Sequence, residues 1–190
     1  MIRKSLTLVS ILTFSAAWSA CDSGSEAPAG PPEGFTQLSC LDVEGDCHHI
    51  LAGDADALQE RTNLLVDGET LVLAEGTWDL DNQVTIRGAN GIRIVGQGMD
   101  LTTLSFANQA VQGNGVDVVG DDFILEHLTV ADSTKDGVRI EDSVGVTLRG
   151  VRVTWTNGPA TENGAYGLYP VTSENVLVED CEATNASDAG

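Results

Sequence analysis

The chain has 190 residues, with 29 acidic and nine basic side chains and a formal net charge of −20. Such a charge repels a polyanion and no basic stripe offsets it, so nucleic acid is excluded as a partner. The 21 glycines and the aromatic content of 5% favour turns and strands over a helical bundle. The length suits one ordinary domain behind a short leader.

Residues 1–21 have the pattern of an export signal. Two basic residues precede the apolar stretch "LTLVSILTF", which is too short to span a bilayer, and "SAAWSAC" follows it. The segment ending at Cys21 resembles the lipobox of bacterial lipoproteins, in which the cysteine is lipidated. Trp18 stands where that motif usually has Leu, Val or Ile, so ordinary cleavage after Ala17 or Ala20 remains the alternative.

Residues 22–35 are rich in Pro, Gly, Ser and acidic side chains, which is typical of a flexible tether. A lipid on Cys21 would then be the only contact with a membrane. We expect the protein in the cell envelope, as a lipoprotein of the outer membrane or the periplasm, or alternatively secreted. The remaining segment, 36–190, is predicted to form the folded domain.

Two cysteines open that domain in the segment "CLDVEGDC". Because an exported protein folds in an oxidising compartment, Cys40 and Cys47 are predicted to form a small-loop disulfide. The alternative is a metal site formed by Cys47, His48 and His49, but two adjacent histidines do not face one ion in regular structure.

The segment 54–80 is predicted to form a helix followed by the first strand. Asp54 or Asp56 can cap the helix, apolar residues follow it at helical spacing, and Asp67-Gly68 ends it. Such a helix would cover the N-terminal end of the strands that follow and protect their open edges.

Three eight-residue segments form an internal repeat: "FILEHLTV" from Phe123, "VTLRGVRV" from Val146 and "VLVEDCEA" from Val176. Their first, third, sixth and eighth residues are apolar, with a break at the fifth position. This pattern predicts two short strands joined by a bend, with the apolar positions inward. Cys181 occupies an inward position and is predicted to be an inert, buried thiol.

A second register supports the repeat. The segments "GVDVV", "GVRIE" and "GLYPV" begin at Gly115, Gly137 and Gly167, and Gly190 would begin the next unit. Units of this size must stack to bury their inner faces. We therefore expect a monomeric right-handed parallel β-helix with an N-terminal capping helix, and a C-terminus that stops within the repeat as in a truncated chain.

Stacking aligns outward residues in columns. Glu126, Arg149 and Glu179 form one predicted column, and Thr129, Arg152 and Glu182 form another; both are interpreted as surface electrostatics, each exposed pair contributing about 0–1 kcal/mol. A third column consists of Asp117, Arg139 and Tyr169.

Two stretches carry a family resemblance: "LVLAEGTWDLDNQVTIRGANGIRIVGQG" and "RVTWTNGPATENGAYGLYPVTSENVLVEDCEATNASDAG". They resemble exported bacterial proteins with right-handed parallel β-helix repeats, of the pectin-lyase-like superfamily. The resemblance implies that the protein handles carbohydrate, either by binding or by processing a polysaccharide.

The coil between Gly137 and Gly167 is longer than its neighbours, and the surplus falls in "NGPATENG", residues 157–164. Loops positioned by a rigid scaffold are frequent binding sites. Aromatic rings can stack on sugars, and amides and carboxylates can bind hydroxyl groups. The predicted glycan-binding residues are Trp155, Asn157, Glu162, Asn163 and Tyr166. The alternative is a tolerated insertion with Trp155 packed beneath it.

If the protein is a lyase, Arg139 is the predicted base, and Asp117 and Tyr169 complete the catalytic column. A lyase of this type usually uses Ca²⁺ held by carboxylates, for which Asp136, Glu141 and Asp142 are the nearest candidates. The competing class is a non-catalytic scaffold of the envelope, an adhesive or a periplasmic maturation protein. Sequence alone leaves open whether the protein is an enzyme.

Overall fold

The fold is described from a computed structural model, and the description covers residues 37–51 and 53–190. The predicted signal segment 1–21, its lipidation site Cys21 and the tether 22–35 lie outside these residues. In the part of the chain that the structure describes, no helix has the length and apolar character needed to cross a membrane.

The described residues form a parallel β-solenoid of about five turns, which confirms the predicted β-helix architecture. All strand pairs are parallel and they form two sheets. The larger sheet contains β1 (Cys47–Ile50), β2 (Thr70–Leu73), β3 (Gly76–Asp79), β5 (Arg93–Val95), β6 (Thr102–Ser105), β8 (Ile124–Ala131), β10 (Thr147–Thr154), β12 (Leu177–Glu179) and β13 (Glu182–Thr184). The smaller sheet contains, in spatial order, β4 (Val84–Arg87), β7 (Val116–Val119), β9 (Val138–Glu141) and β11 (Leu168–Val171).

The predicted register of the three eight-residue segments is confirmed. Leu148 lies opposite both Leu125 and Val178, and Val153 lies opposite Val130 and Ala183. All four inward positions of the first two segments are at most 1% exposed. Burying a branched side chain of this size contributes roughly 1.5–3 kcal/mol, so these stacked columns stabilise the coils.

The break at the fifth position of each segment is a left-handed residue. His127, Gly150 and Asp180 have φ values of 55°, 57° and 52°. A single residue of this conformation turns the chain without a loop, and it explains why the alternation of inward and outward residues shifts by one.

The third segment differs from the first two in burial. Val178 occupies an inward position but is 49% exposed, because β12 has one strand neighbour, β10, among the described residues. Cys181 is a free thiol that is half-buried rather than buried, and its Sγ lies 3.4 Å from the carbonyl oxygen of Leu148.

The predicted helix is present but shorter than expected. Helix α1 spans Ala55–Thr62, and the side chain of Asp54 caps it by accepting a 3.1 Å hydrogen bond from the backbone N–H of Ala57. Leu58 is fully buried in the core of the solenoid. Leu64 lies beyond the helix and is 58% exposed, so the apolar spacing overstated the length of the helix.

The first strand precedes the helix, so the prediction that it follows the helix is wrong. Strand β1 pairs in parallel with β2 along its whole length, with Cys47 opposite Thr70. A disulfide joins Cys40 to Cys47 across a Cα–Cα distance of 5.5 Å, and a short 3-10 helix, Cys40–Asp42, lies between them. Cys47 is therefore not available to the alternative metal site with His48 and His49.

Candidate functional site

The register places the predicted catalytic column on the outer face of the smaller sheet. Asp117 on β7 lies opposite Arg139 on β9, which in turn lies opposite Tyr169 on β11. Neighbouring parallel strands lie about 4.8 Å apart, so these side chains come from successive coils of the solenoid.

Asp117 nevertheless forms its close contacts elsewhere. Its Oδ2 accepts a 2.6 Å hydrogen bond from Nη2 of Arg87, and its Oδ1 accepts a 2.8 Å hydrogen bond from Nδ2 of Asn114. Asp117 is buried while Arg87 reaches it diagonally from β4. The carboxylate of Asp117 is therefore engaged by Arg87 and not by Arg139, its predicted partner in the column.

Arg139 lies among acidic and aromatic partners. Its guanidinium is 3.2 Å from Oε1 of Glu141 and 3.6 Å from Oδ2 of Asp136, and its Cζ is 5.5 Å from the ring centre of Tyr169. Partial burial lowers the pKa of Arg139, but the hydrogen bond to Glu141 and the two negative charges outweigh burial and raise that pKa. A general base must release its proton, so the predicted role of Arg139 as a base is a poor match to this environment.

The two tyrosines form a stacked pair beside Arg139. The ring centres of Tyr166 and Tyr169 are 4.4 Å apart and their planes differ by 24°, and both side chains are half-buried. Asp188 raises the pKa of Tyr166 through a hydrogen bond and its negative charge. Tyr166 therefore keeps its proton at neutral pH and offers a hydroxyl group and an apolar ring surface.

A cleft of about 420 Å³ lies next to these residues, where β7 and β9 begin. Most of its lining residues have polar side chains, and several were not singled out by the sequence argument. The lining residues are Asn114, Thr134, Lys135, Asp136, Arg139, Asn163, Gly164, Ala165 and Ser187.

Lys135 is the most informative of these residues. Within residues 37–51 and 53–190, every arginine forms an ion pair with a carboxylate, and Lys135 is the one basic side chain that does not. The carbonyl oxygen of Lys135 packs against Gly164, so the loop closes over the backbone of this residue. An exposed, unpaired cation at a polar cleft is a candidate contact for an anionic group.

A sequence signal for this cleft exists. Asn114, Asp136 and Tyr166 each come directly before one of the coil-opening glycines, so they occupy one column at the edge of the smaller sheet. Lys135 comes one residue before Asp136. The register that aligned Asp117, Arg139 and Tyr169 also aligns these polar side chains, so their grouping was predictable from the sequence.

The predicted loop forms one wall of the cleft through Asn163 and Gly164. Asn163 is buried at the base of the loop, where its Nδ2 donates to the carbonyl oxygens of Gly158 at 2.9 Å and Asn185 at 2.6 Å. Its Oδ1 accepts a 3.0 Å hydrogen bond from Nδ2 of Asn157. These amides hold the loop together, so Asn163 and Asn157 position the wall and have few groups left to bind a sugar.

Trp155 does not face solvent, which corrects its predicted role in stacking on a sugar. It is 3% exposed, and its Nε1 donates a 2.7 Å hydrogen bond to the carbonyl oxygen of Ser133. The alternative reading, Trp155 packed beneath the loop, agrees with this burial. Glu162 is exposed and lines a neighbouring open cleft of about 330 Å³, away from Arg139 and Tyr166.

The larger sheet carries the other two predicted columns, both as ion pairs. Glu126 accepts hydrogen bonds from Arg93 and Arg149, and Nε of Arg149 also lies 2.8 Å from Glu179. Arg152 lies 3.0 Å from Glu182 and 2.6 Å from Asp100. These charged groups are thus paired with one another.

Metal ligands do not converge in the described ranges. No group of three or more His, Cys, Asp or Glu side chains there is placed to hold an ion. Asp136 and Glu141 instead share Arg139, and Oδ1 of Asp142 accepts a hydrogen bond from the hydroxyl group of Thr172. The expected Ca²⁺ contact therefore has no three-carboxylate site among these residues.

Searches of protein-family models, curated proteins and solved structures found no match to this chain.

Proposed function

We propose that this protein is a polysaccharide-binding β-solenoid of the cell envelope, and that its cleft binds a sugar residue carrying an acidic group. The observation that carries the proposal is Lys135, the one lysine or arginine within residues 37–51 and 53–190 that forms no ion pair there, at the cleft beside Arg139 and the stacked tyrosines. The volume of about 420 Å³ lies in the range of small-molecule sites.

The uncharged part of the lining supports a sugar ligand. Asn114, Thr134 and Ser187 provide amide and hydroxyl groups, which exchange hydrogen bonds with sugar hydroxyls as readily as with water. Tyr166 and Tyr169 add apolar ring surface with low rotamer entropy, a combination that favours contact with the carbon faces of a sugar ring.

The charge distribution supports an acidic sugar at this cleft. The whole chain carries −20, so an anionic glycan is repelled by most of its surface. Lys135 adds a positive charge to the cleft, while Arg139 and Asp136, the other charged lining residues, form an ion pair. Screening at physiological salt acts over about 8 Å, so Lys135 is the charge that a carboxylate bound beside it meets most directly.

Binding fits the site better than cleavage. A lyase needs a base, but Arg139 is held protonated and Asp117 is held in its pair with Arg87. Tyr166 also retains its proton because Asp188 raises its pKa. The lipid-modified Cys21 and the tether 22–35 would present this cleft at the cell envelope, to surface or periplasmic glycan.

A non-catalytic envelope scaffold is the second candidate. The ion pairs that join Arg93, Glu126, Arg149 and Glu179 support it, since they serve the stacking of coils rather than a ligand. A scaffold of this kind has no need for a lysine at the cleft that pairs with no carboxylate of the described residues, which is why we favour glycan binding.

Calorimetric titration of the full chain tests the proposal. The probes are fragments of uronate-containing polysaccharides, each paired with the same fragment after chemical reduction of its carboxyl groups. We expect a preference for the acidic form that Lys135→Gln reduces about tenfold, as for the loss of one charge-assisted hydrogen bond. Lys135→Arg, which keeps the charge, is expected to stay within about twofold of the parent.

Two results would contradict the proposal. One is the absence of binding across the whole set of fragments, which favours the scaffold. The other is equal affinity for acidic and reduced fragments. Ultraviolet absorbance by unsaturated sugar products, followed in the same samples, is expected to stay flat; a rise would make the protein a lyase.

A further inference from the structure

A second cleft, of about 310 Å³, lies between helix α1 and strand β4. Unlike the first cleft, its lining carries no charged side chain. The six lining residues are Gln59, Thr62, Asn63, Asn82, Gln83 and Thr85, and all of them are amides or alcohols.

Part of the hydrogen-bonding capacity of this lining is already used. Nε2 of Gln59 donates to the carbonyl oxygen of Asn82 at 3.1 Å, and Nδ2 of Asn63 donates to the carbonyl oxygen of Gln59 at 2.9 Å. Each contact uses one of the two N–H groups of the amide nitrogen and orients the amide plane. Among the described residues, the side-chain oxygens of Gln59, Asn63 and Asn82 accept no hydrogen bond, which leaves them free for donors from a ligand.

The two clefts are joined by one hydrogen bond. Oε1 of Gln83, in the second cleft, accepts from the backbone N–H of Asn114, in the first cleft, at 3.3 Å. Asn82 and Asn114 also occupy equivalent positions, two residues before β4 and β7. Strands of neighbouring coils are about 4.8 Å apart, so the two clefts follow each other along the axis of the solenoid.

We infer that the second cleft holds a neutral sugar of the same polysaccharide chain whose acidic sugar occupies the first cleft. This inference rests on the proposed function and names its ligand class, a heteropolysaccharide in which neutral and acidic units alternate. An acidic unit is excluded from the second cleft, because it would meet free amide oxygens and no cation there. The ligand crosses the coils at a right angle to β4, β7 and β9.

The test compares fragments of different length and composition by calorimetry. The probes are a single uronate, an octasaccharide in which uronate alternates with a neutral sugar, and an all-uronate octasaccharide. We expect the alternating octasaccharide to bind at least about tenfold more tightly than both the single uronate and the all-uronate form, since it alone fills both clefts correctly.

The double variant Gln59→Ala/Asn63→Ala is expected to lower the affinity for the alternating octasaccharide about tenfold and to leave the affinity for the single uronate within about twofold. Glu60→Ala is the matched control, because Glu60 is exposed on the same helix and outside the cleft. Asn82→Ala, outside the helix, repeats the test if the double variant does not fold.

The outcomes separate the two proposals. If octasaccharide affinity is unchanged in the double variant and in Asn82→Ala while Lys135→Gln still weakens binding, this inference is wrong and the proposed function stands. If no fragment binds to the parent protein, both are wrong.

Discussion

A glycine at the start of each coil determines how closely the coils approach one another. A Cβ on Gly137 would overlap Cγ1 of Val153 and lie 2.8 Å from the carbonyl oxygen of Gly167. Gly115 meets the equivalent obstacles, Val130 and the carbonyl oxygen of Gly137, each at 2.6 Å. These glycines are therefore required for close packing, and the spacing that revealed the repeat has a steric cause.

Gly137→Ala is expected to lower the free energy of unfolding by about 1–3 kcal/mol, because the added methyl group overpacks the core. Urea denaturation measures the loss. Gly113→Ala is the matched control: there a Cβ first meets the flexible end of Gln83 at 3.0 Å, and we expect a change within about 0.5 kcal/mol. Equal losses in the two variants would contradict the steric explanation.

At the residue scale, the sequence predicted which residues lie in one column of the solenoid, but not which side chains form ion pairs with one another. Alternation of inward and outward residues placed Asp117 beside Arg139, and the structure has that register. Asp117 nevertheless pairs with Arg87, which lies two positions further along a neighbouring strand. Diagonal neighbours remain within reach of a long side chain, so register alone does not select between two arginines. Register also does not predict the burial of Trp155, because that burial depends on how the loop packs over the side chain.

At the scale of strands, the outer face of the larger sheet is stabilised by a charged ladder. Glu126 is buried on β8 and accepts hydrogen bonds from Arg93 on one side and from Arg149 on the other. Burial raises the pKa of Glu126, but these two guanidinium groups outweigh burial and the pKa is lowered from its ordinary value of 4.5. The ionised form thus stabilises the fold at pH values above that ordinary value.

Glu126→Gln is expected to cost about 1–3 kcal/mol at neutral pH, since it removes charge-assisted hydrogen bonds from a buried position. A lowered pKa in the folded state means that this contribution is lost as the pH falls below about 4.5. The difference in the free energy of unfolding between the parent and Glu126→Gln should therefore become smaller from neutral pH to about pH 3.5, as measured by denaturation at each pH. A difference independent of pH would show that the carboxylate charge is not responsible for it. Glu179→Gln, at the half-exposed end of the ladder, is expected to cost less.

Elements with clear periodicity were predictable, and short ones without it were not. In β8 and β10 inward and outward residues alternate on either side of the left-handed residue, and both strands begin and end one residue after the predicted segments. Strand β1 has the sequence "CHHI", which shows no alternation, and it lies before the helix. Its pairing with β2 depends on the disulfide loop that precedes it and on contacts distant in sequence.

At the scale of the whole molecule, charge is distributed unevenly over an acidic protein. Within the described residues, every arginine forms an ion pair, several of these pairs join neighbouring coils, and Lys135 at the cleft forms none. The cleft could not be read from the sequence, because its walls come from three coils and from a loop whose closure depends on Asn163. On the larger sheet the charged side chains form ion pairs with one another, whereas the cleft lies at the edge of the smaller sheet. A linear ligand can lie along that edge.

Hydrogen–deuterium exchange of the full chain, with and without an acidic oligosaccharide that binds it, tests the central claim most directly. The account predicts slower exchange in residues 134–139 and 163–166, because a ligand in the cleft covers these backbone segments and limits their opening. Residues 147–154, under the charged ladder of the larger sheet, should be unaffected. Protection confined to that ladder, with none at the cleft, would contradict the account.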